Sequence, residues 1–206
     1  MLESVPNVIL NVIAGPTASG KSKLAIDLAL ATGAEIVSAD SQQVYRHFDI
    51  GTAKPTREEL AAVPHHLISV VDPLADFSAA QFQKLADEAI ASIAARGCPV
   101  VVVGGTGLYL RILLRGIIAA PARDEALRAQ FEAVADSEGN EALHLRLSEV
   151  DPDEACRLPP SDRVRMIRAL EIHALTGQTA TLLRAAHQFE RPRYKYRLWV
   201  LAPDRD

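Results

Sequence analysis

Eight consecutive residues, Gly15-Pro16-Thr17-Ala18-Ser19-Gly20-Lys21-Ser22, fit the pattern G-x-x-x-x-G-K-[ST]. Residue types at that spacing make an anion cradle. Backbone N–H groups of a glycine-rich turn and the open donors of a helix start converge on one spot, and Lys21 adds a full positive charge. The Ser22 hydroxyl can sit on a Mg²⁺ that the same phosphates hold. The segment reads as a di- or triphosphate site, with a chance strand-to-helix turn as the alternative. Two further positions could do chemistry beside it. Asp40 follows the apolar run 35–39 and can act as a general base, taking a proton from an acceptor next to the phosphates, or else cap the loop that follows. Thr106 stands in Gly104-Gly105-Thr106-Gly107, where glycines let a substrate approach the backbone; its hydroxyl can orient the acceptor or a phosphate, or serve an ordinary turn.

These residues need elements to position them. The apolar run 8–14 predicts a buried strand ahead of the cradle. Leu24, Ala25, Leu28 and Ala29 predict a helix after it that stops at Gly33. Residues 35–39 predict a second strand, followed by a long polar loop. Thr56 with Glu59 and Ser78 with Gln81 have capping-box spacing, so helices are expected over 57–62 and from 79 to about 96. Residues 66–71 predict a third strand and 99–103, nearly all valine, a fourth that is buried on both faces, with a helix from 108. Alternating strands and helices predict an α/β fold, a P-loop NTPase-like doubly wound parallel sheet. Ligands of such sheets bind at the carboxyl ends of the strands, so the loop 15–22, Asp40 and Thr106 should face one crevice.

From Arg123 the character changes. Helices are expected over 124–138, 140–149, 161–176 and 179–188, with no strand among them, and then 196–202 reads as another core strand. The expected organisation is a core over 1–121, a helical insertion domain over 122–190 and a return strand over 191–206, with the rest of the core continuing past Asp206 in a longer protein. The insertion carries Arg157, Arg163, Arg165 and Arg168. Arg165 and Arg168 share a helix face, with Val164, Ile167 and Leu170 as the apolar stripe behind. That face can contact RNA phosphates, act as a kinase-like lid, or be a solvated surface paired with Asp162 and Glu171.

Composition narrows the class. With 49% apolar and 23% charged residues among 206, the chain can bury a real core. It has no signal-peptide pattern and no apolar run long enough for a membrane. Cys98 and Cys156 lack metal spacing, so reduced thiols in a cytoplasmic protein are expected. A net charge of −4 argues against a general nucleic-acid binder but permits a local basic patch. The fourth strand does not end in the Mg²⁺-holding Asp of a P-loop kinase; Asp72 is the nearest match and equally a turn starter. His65-His66 has no third ligand nearby, so packing or hydrogen bonding is expected of it.

Several segments together resemble the tRNA dimethylallyltransferase (isopentenyltransferase) family. They are the cradle 15–22, Asp40-Ser41-x-Gln43-Val44-Tyr45-Arg46, Asp49-Ile50-Gly51-Thr52-Ala53-Lys54-Pro55, Val102-Val103-Gly104-Gly105-Thr106-Gly107-Leu108-Tyr109, and Asp162-x-x-Arg165-x-x-Arg168-Ala169-Leu170-Glu171. The resemblance implies transfer of a dimethylallyl group from dimethylallyl diphosphate to N6 of the adenine 3′-adjacent to the anticodon of tRNAs. It implies Mg²⁺ as cofactor, Lys21 and the loop on the diphosphate, Asp40 as base and Thr106 on the acceptor adenine. It also implies tRNA contacts by Ser41, Gln42 and Gln43, and on the insertion by Arg128, Ser161, Asp162, Arg163, Val164 and Arg165. A cytoplasmic monomer that engages the anticodon stem-loop, with no membrane, is expected. Family members continue through a C-terminal part with a further diphosphate-binding arginine. Gln42, His47-Phe48 and Ser161 depart from the family's usual residues. The rival readings are an adenylate isopentenyltransferase, a P-loop kinase of a small acceptor, and an inactive tRNA-binding fragment.

Overall fold

Val100, Val101 and Val102 have no exposed surface at all, as a strand covered on both faces requires. They lie on β4 (Val100–Gly104), the centre of a five-stranded parallel sheet in a computed structural model that describes residues 7–187, 189 and 191–202. The strand order is β3-β2-β4-β1-β5, with β1 Ile9–Ala14, β2 Glu35–Ser38, β3 His65–His66 and β5 Lys195–Val200.

The side-chain alternation of the strands divides the core in two. On one face Leu10, Val12, Val37, Val100 and Val102 pack against Phe82, Ala86, Ile90 and Ile93 of α3 (Ala79–Ala95), and against Tyr109, Leu110 and Leu113 of α4 (Gly107–Arg115). On the other, Ile13, Ile36 and Val101 meet Ala25, Ile26 and Ala29 of α1 (Lys21–Thr32), with Val63 just past α2 (Arg57–Ala62). Each fully buried valine or isoleucine contributes about 1.5–3 kcal/mol of hydrophobic stabilisation. The sheet is doubly wound, as the strand and helix alternation predicts.

Helix limits follow the local signals. Gly33 takes the left-handed conformation (φ 68°) and its N–H closes α1 on the Ala29 carbonyl. Both predicted capping boxes form: Thr56 with Glu59 before α2, and Ser78 with Gln81 before α3.

Several expectations need correction. The third strand is two residues long and does not run through 66–71. Leu67 and Ser69 turn to positive φ (64° and 53°), and the N–H groups of Ser69, Val70 and Val71 go to the Gln43 and Val44 carbonyls, so the stretch pairs with the loop after β2. The return strand expected over 196–202 joins the sheet as β5 beside β1, at its edge among the described residues and ending at Val200; Trp199 stands in register with Ile13. Among the described residues the helical region holds α5 (Glu125–Glu138), α6 (Asn140–Val150), α7 (Pro152–Arg157), α8 (Arg163–Thr176) and α9 (Ala180–His187), one helix more than expected. The extra one, α7, starts with Asp151 as cap and Pro152 in its first turn.

The chain divides into two compact units, one built on the residues to Gly116 and from Phe189, the other Ile117–Gln188. The second unit begins ahead of the 121/122 boundary read from sequence. Its core gathers Leu143, Leu147, Leu158, Met166, Ile167 and Leu170. Of the apolar stripe expected on α8, Ile167 and Leu170 are buried but Val164 is 65% exposed, and Met166 joins the buried face. No described helix is long and apolar enough to cross a membrane.

Candidate active site

The cradle begins where β1 ends. Ala18 and Gly20 adopt positive φ (63° and 82°), and Gly20 caps α1 without a side-chain bond, which leaves the first amides of α1 open. Lys21 Nζ folds back to donate to the Pro16 carbonyl at 3.0 Å. Ser19 Oγ is buried and has no hydrogen-bond partner. A buried hydroxyl without a partner is costly, and a ligand oxygen in the loop is the natural acceptor for it.

Missing side chains bring the other strand ends in. A Cβ on Gly105 would lie 3.2 Å from the Gly15 carbonyl oxygen and 3.7 Å from Lys21 Nζ, so the turn after β4 stands directly beside the cradle. A Cβ on Gly104 would lie 2.2 Å from the Ala39 carbonyl oxygen, so β4 and β2 also close together at this end. Thr106 Oγ1 accepts from the Ser41 N–H at 3.1 Å and donates to Ser41 Oγ at 3.4 Å. Asp40 Oδ1 accepts from the N–H groups of Gln42 (2.8 Å) and Gln43 (3.3 Å), while Oδ2 has no hydrogen-bond partner among the described residues. The strand ends expected to meet lie together: the loop 15–22 beside Gly105, Thr106 on Ser41, and Asp40 next in the chain.

Not every expected contact residue faces outward. Gln42 is exposed. Gln43 is buried, and its amide is engaged on all sides, accepting from Ser38 Oγ at 3.0 Å and donating to the Thr52 and Ala53 carbonyls. Tyr109, which sequence reasoning quoted only as part of a motif, stacks on Phe82 (centroids 4.1 Å apart). Burial holds its phenol above the usual value, and the charges of Tyr45 and Asp40 add to this, so Tyr109 lies within electrostatic reach of the proposed base. The pair His65-His66 holds no metal ligand set: His65 Nδ1 lies 2.7 Å from the Val63 carbonyl and His66 Nε2 2.7 Å from Glu35. Among the described residues, no group of three or more His, Cys, Asp or Glu is gathered to hold a metal.

In the helical unit the arginines are paired. Asp162 caps α8 and bridges Arg165 at 3.1 Å; Arg165 is 67% exposed. Arg163 reaches Glu132 and Asp136, and Ser161 is exposed. Arg128 is buried, 3.5 Å from the fully buried Glu171, which also accepts from Arg168 and from the Asp124 N–H. Glu154 accepts from Arg157 and Arg184; burial pushes its carboxyl up, but those two bonds outweigh it and leave it below the ordinary range. Arg157, Arg165, Arg168 and Arg184, with Ile117, Ile172 and Leu183, line a cavity of about 260 Å³.

The family model for IPP transferase matches residues 43–206. The tRNA dimethylallyltransferase of Myxococcus xanthus (strain DK1622) is 65% identical over 198 residues, covering 96% of this chain and 64% of that protein. That of Anaeromyxobacter sp. (strain Fw109-5) is 57% identical, covering 95% and 65%. This chain therefore spans just under two thirds of the length of these relatives. Among solved structures, a eukaryotic dimethylallyltransferase acting on tRNA matches with a TM-score of 0.82 at 30% identity, over 94% of this chain and 48% of that one. The tRNA isopentenylpyrophosphate transferase of Bacillus halodurans matches with 0.54 at 47% identity, over 82% and 56%.

Proposed function

Because the chain belongs to the IPP transferase family, we propose that it transfers a dimethylallyl group from dimethylallyl diphosphate to N6 of the adenine 3′-adjacent to the anticodon of tRNAs. The observation that carries this reading is the meeting of the phosphate cradle, Thr106 and the Asp40 loop at one end of the sheet.

In the reaction, N6 of the adenine forms a bond to the allylic carbon as the carbon–oxygen bond to the diphosphate breaks. Lys21, the open amides of the cradle and Ser19 Oγ stabilise the charge that grows on the departing diphosphate. Asp40 takes the N6 proton on Oδ2, while the Gln42 and Gln43 amides hold Oδ1 in place. Thr106 and Ser41 orient the adenine, which must leave its stack, at small cost in a single-stranded loop. β4 ends in glycine, without a kinase's metal-holding Asp, which supports a leaving diphosphate over a transferred phosphoryl group. The donor set fits Mg²⁺: Ser22 opens α1 beside the cradle, and hard phosphate oxygens supply the other ligands. Bound there, Mg²⁺ supplies further neutralisation of the diphosphate.

For tRNA contact, Gln42 beside the proposed base and, on the insertion, Ser161, Val164 and Arg165 around the start of α8 are the exposed members of the proposed set. Arg128 and Arg163 work through the carboxylates they hold. The reading puts the enzyme in the cytoplasm as a monomer. The test is a transfer assay with this chain, Mg²⁺, radiolabelled dimethylallyl diphosphate and an unmodified anticodon stem-loop, with AMP as a parallel acceptor. Label on the RNA alone is the expected result. Label on AMP alone would overturn it, as would ATP consumption without prenyl transfer.

A further inference from the structure

The loop 40–46 carries the base of the proposed reaction, so something must hold its backbone. Its start is fixed by Asp40 itself, which turns the chain on the amides of Gln42 and Gln43. Its far end is held from outside. Lys54 comes from the 49–55 stretch with its side chain only 6% exposed, and Nζ donates to the Tyr45 carbonyl at 2.6 Å and to Asp49 Oδ1 at 2.8 Å. The Gln43 amide ties the same stretch back through the Thr52 and Ala53 carbonyls.

A nearly buried ammonium is costly without good acceptors. One of the two it has is the carboxylate of Asp49, 71% exposed and itself open to water. The other is a main-chain carbonyl of the loop that carries the base. Beyond Tyr45, the Arg46 N–H bonds the Val71 carbonyl, and the N–H groups of Ser69, Val70 and Val71 bond back to residues 43 and 44. Lys54 therefore ties its own stretch to the far end of this loop, next to the residues that 69–71 hold from the other side.

We propose that Lys54 is a positioning residue: its ammonium pins the Tyr45 carbonyl and thereby sets the Asp40 carboxylate for proton transfer. The inference rests on the reading of Asp40 as base. Lys54 touches neither the prenyl donor's cradle nor the reacting atoms, and its effect passes through the backbone.

The experiment compares Lys54→Met, Lys54→Gln and Asp49→Ala with the unaltered chain by amide hydrogen exchange, thermal melting, inorganic pyrophosphate binding and steady-state transfer. In Lys54→Met, exchange at Gln42, Gln43, Ser69, Val70 and Val71 is expected to rise and kcat to fall, each by about 10- to 100-fold, the size of a lost charge-assisted hydrogen bond. Pyrophosphate affinity and the KM for dimethylallyl diphosphate stay unchanged, a split that general destabilisation would not give. Lys54→Gln, which keeps one donor for the carbonyl, recovers part of the loss. Asp49→Ala, which leaves the bond to the Tyr45 carbonyl in place, is expected to lose much less than Lys54→Met. Unchanged exchange or unchanged kcat in Lys54→Met would overturn the proposal, and so would an Asp49→Ala variant as damaged as Lys54→Met. If the unaltered chain shows no transfer while the exchange difference persists, the transferase reading fails and the anchoring of the loop by Lys54 stands.

Discussion

The carboxyl end of the sheet and the helical unit treat their charged side chains differently. At the sheet end, hydrogen-bonding capacity is left over: among the described residues Ser19 Oγ and Asp40 Oδ2 have no partner, and Lys21 Nζ donates to the Pro16 carbonyl. In the helical unit the buried carboxylates are matched to arginines, although Arg163 Nε and Thr181 Oγ1 are buried without a partner among the described residues. Glu171 takes Arg128 and Arg168, Glu154 takes Arg157 and Arg184, and Arg163 takes Glu132 and Asp136. Charged groups left open at the end of the sheet suit the small charged ligand proposed for that site. Matched ones mark a scaffold that keeps its shape without one. Arg165 at the start of α8 is the exception, exposed and held only by its own cap residue.

The sharpest way to break this contrast is at Asp40. Asp40→Ala is expected to lower the transfer rate by about 10²- to 10⁴-fold, the usual contribution of a general base, with pyrophosphate binding retained; unchanged turnover would remove Asp40 from that role. In the helical unit, Glu171→Gln leaves Arg128 and Arg168 without their buried carboxylate. A loss of about 3–5 kcal/mol in denaturant unfolding is expected there, with pyrophosphate affinity unaffected. Lys21→Met reverses that pattern: melting of the ligand-free protein stays the same, while pyrophosphate binding, read by calorimetry, weakens by about 1.5–3 kcal/mol. Arg165→Ala should change stability by less than about 0.5 kcal/mol. Its RNA affinity should fall by roughly 1 kcal/mol, with a shallower salt dependence; an unchanged salt slope would place the RNA elsewhere.

The smallest effect concerns a carboxylate at the opposite end of β2. Glu35 is held below the ordinary glutamate value of 4.5 chiefly by Arg96, against the upward push of burial and with help from His66. Its folded pKa lies below its unfolded one, so its contribution is present above pH 4.5 and disappears as the pH falls through the depressed value. Melting temperatures of Glu35→Gln and the unaltered protein should therefore converge in acid and separate toward neutrality. A constant offset at every pH would contradict the linkage.

Much of this could be read from the chain because local chemistry decides it. Gly33 ends α1 since only a residue tolerant of positive φ fits there, and the capping boxes at Thr56 and Ser78 satisfy amides of their own helices. The cradle, Asp40 and Thr106 were legible for a related reason: strand polarity sends their loops to one end. What depends on distant partners was not legible. Residues 66–71 have a strand's apolar content, but the free donors and acceptors of loop 43–46 take their backbone bonds, and no period in the sequence reports that competition. Val164 looks like a stripe residue until the first turn of α8 is seen to stand clear of the core that Met166 and Ile167 fill. Arg128 and Gln43 are polar, so surface contact is the natural expectation; each is buried by partners more than five residues away or on another helix. Asp151 before Pro152 was a helix start in plain view, hidden by the brevity of α7.

The placement of Trp199 on β5, in register with Ile13 one residue before the cradle strand ends, has an optical consequence. It is the single tryptophan, and the four tyrosines, Tyr45, Tyr109, Tyr194 and Tyr196, belong to the same unit; Ile117–Gln188 has neither residue type. Intrinsic fluorescence thus reports on the sheet unit alone, whereas far-ultraviolet dichroism weighs the helices of both. Recorded together on the unlabelled protein, the two signals would show whether the units melt as one body or in turn.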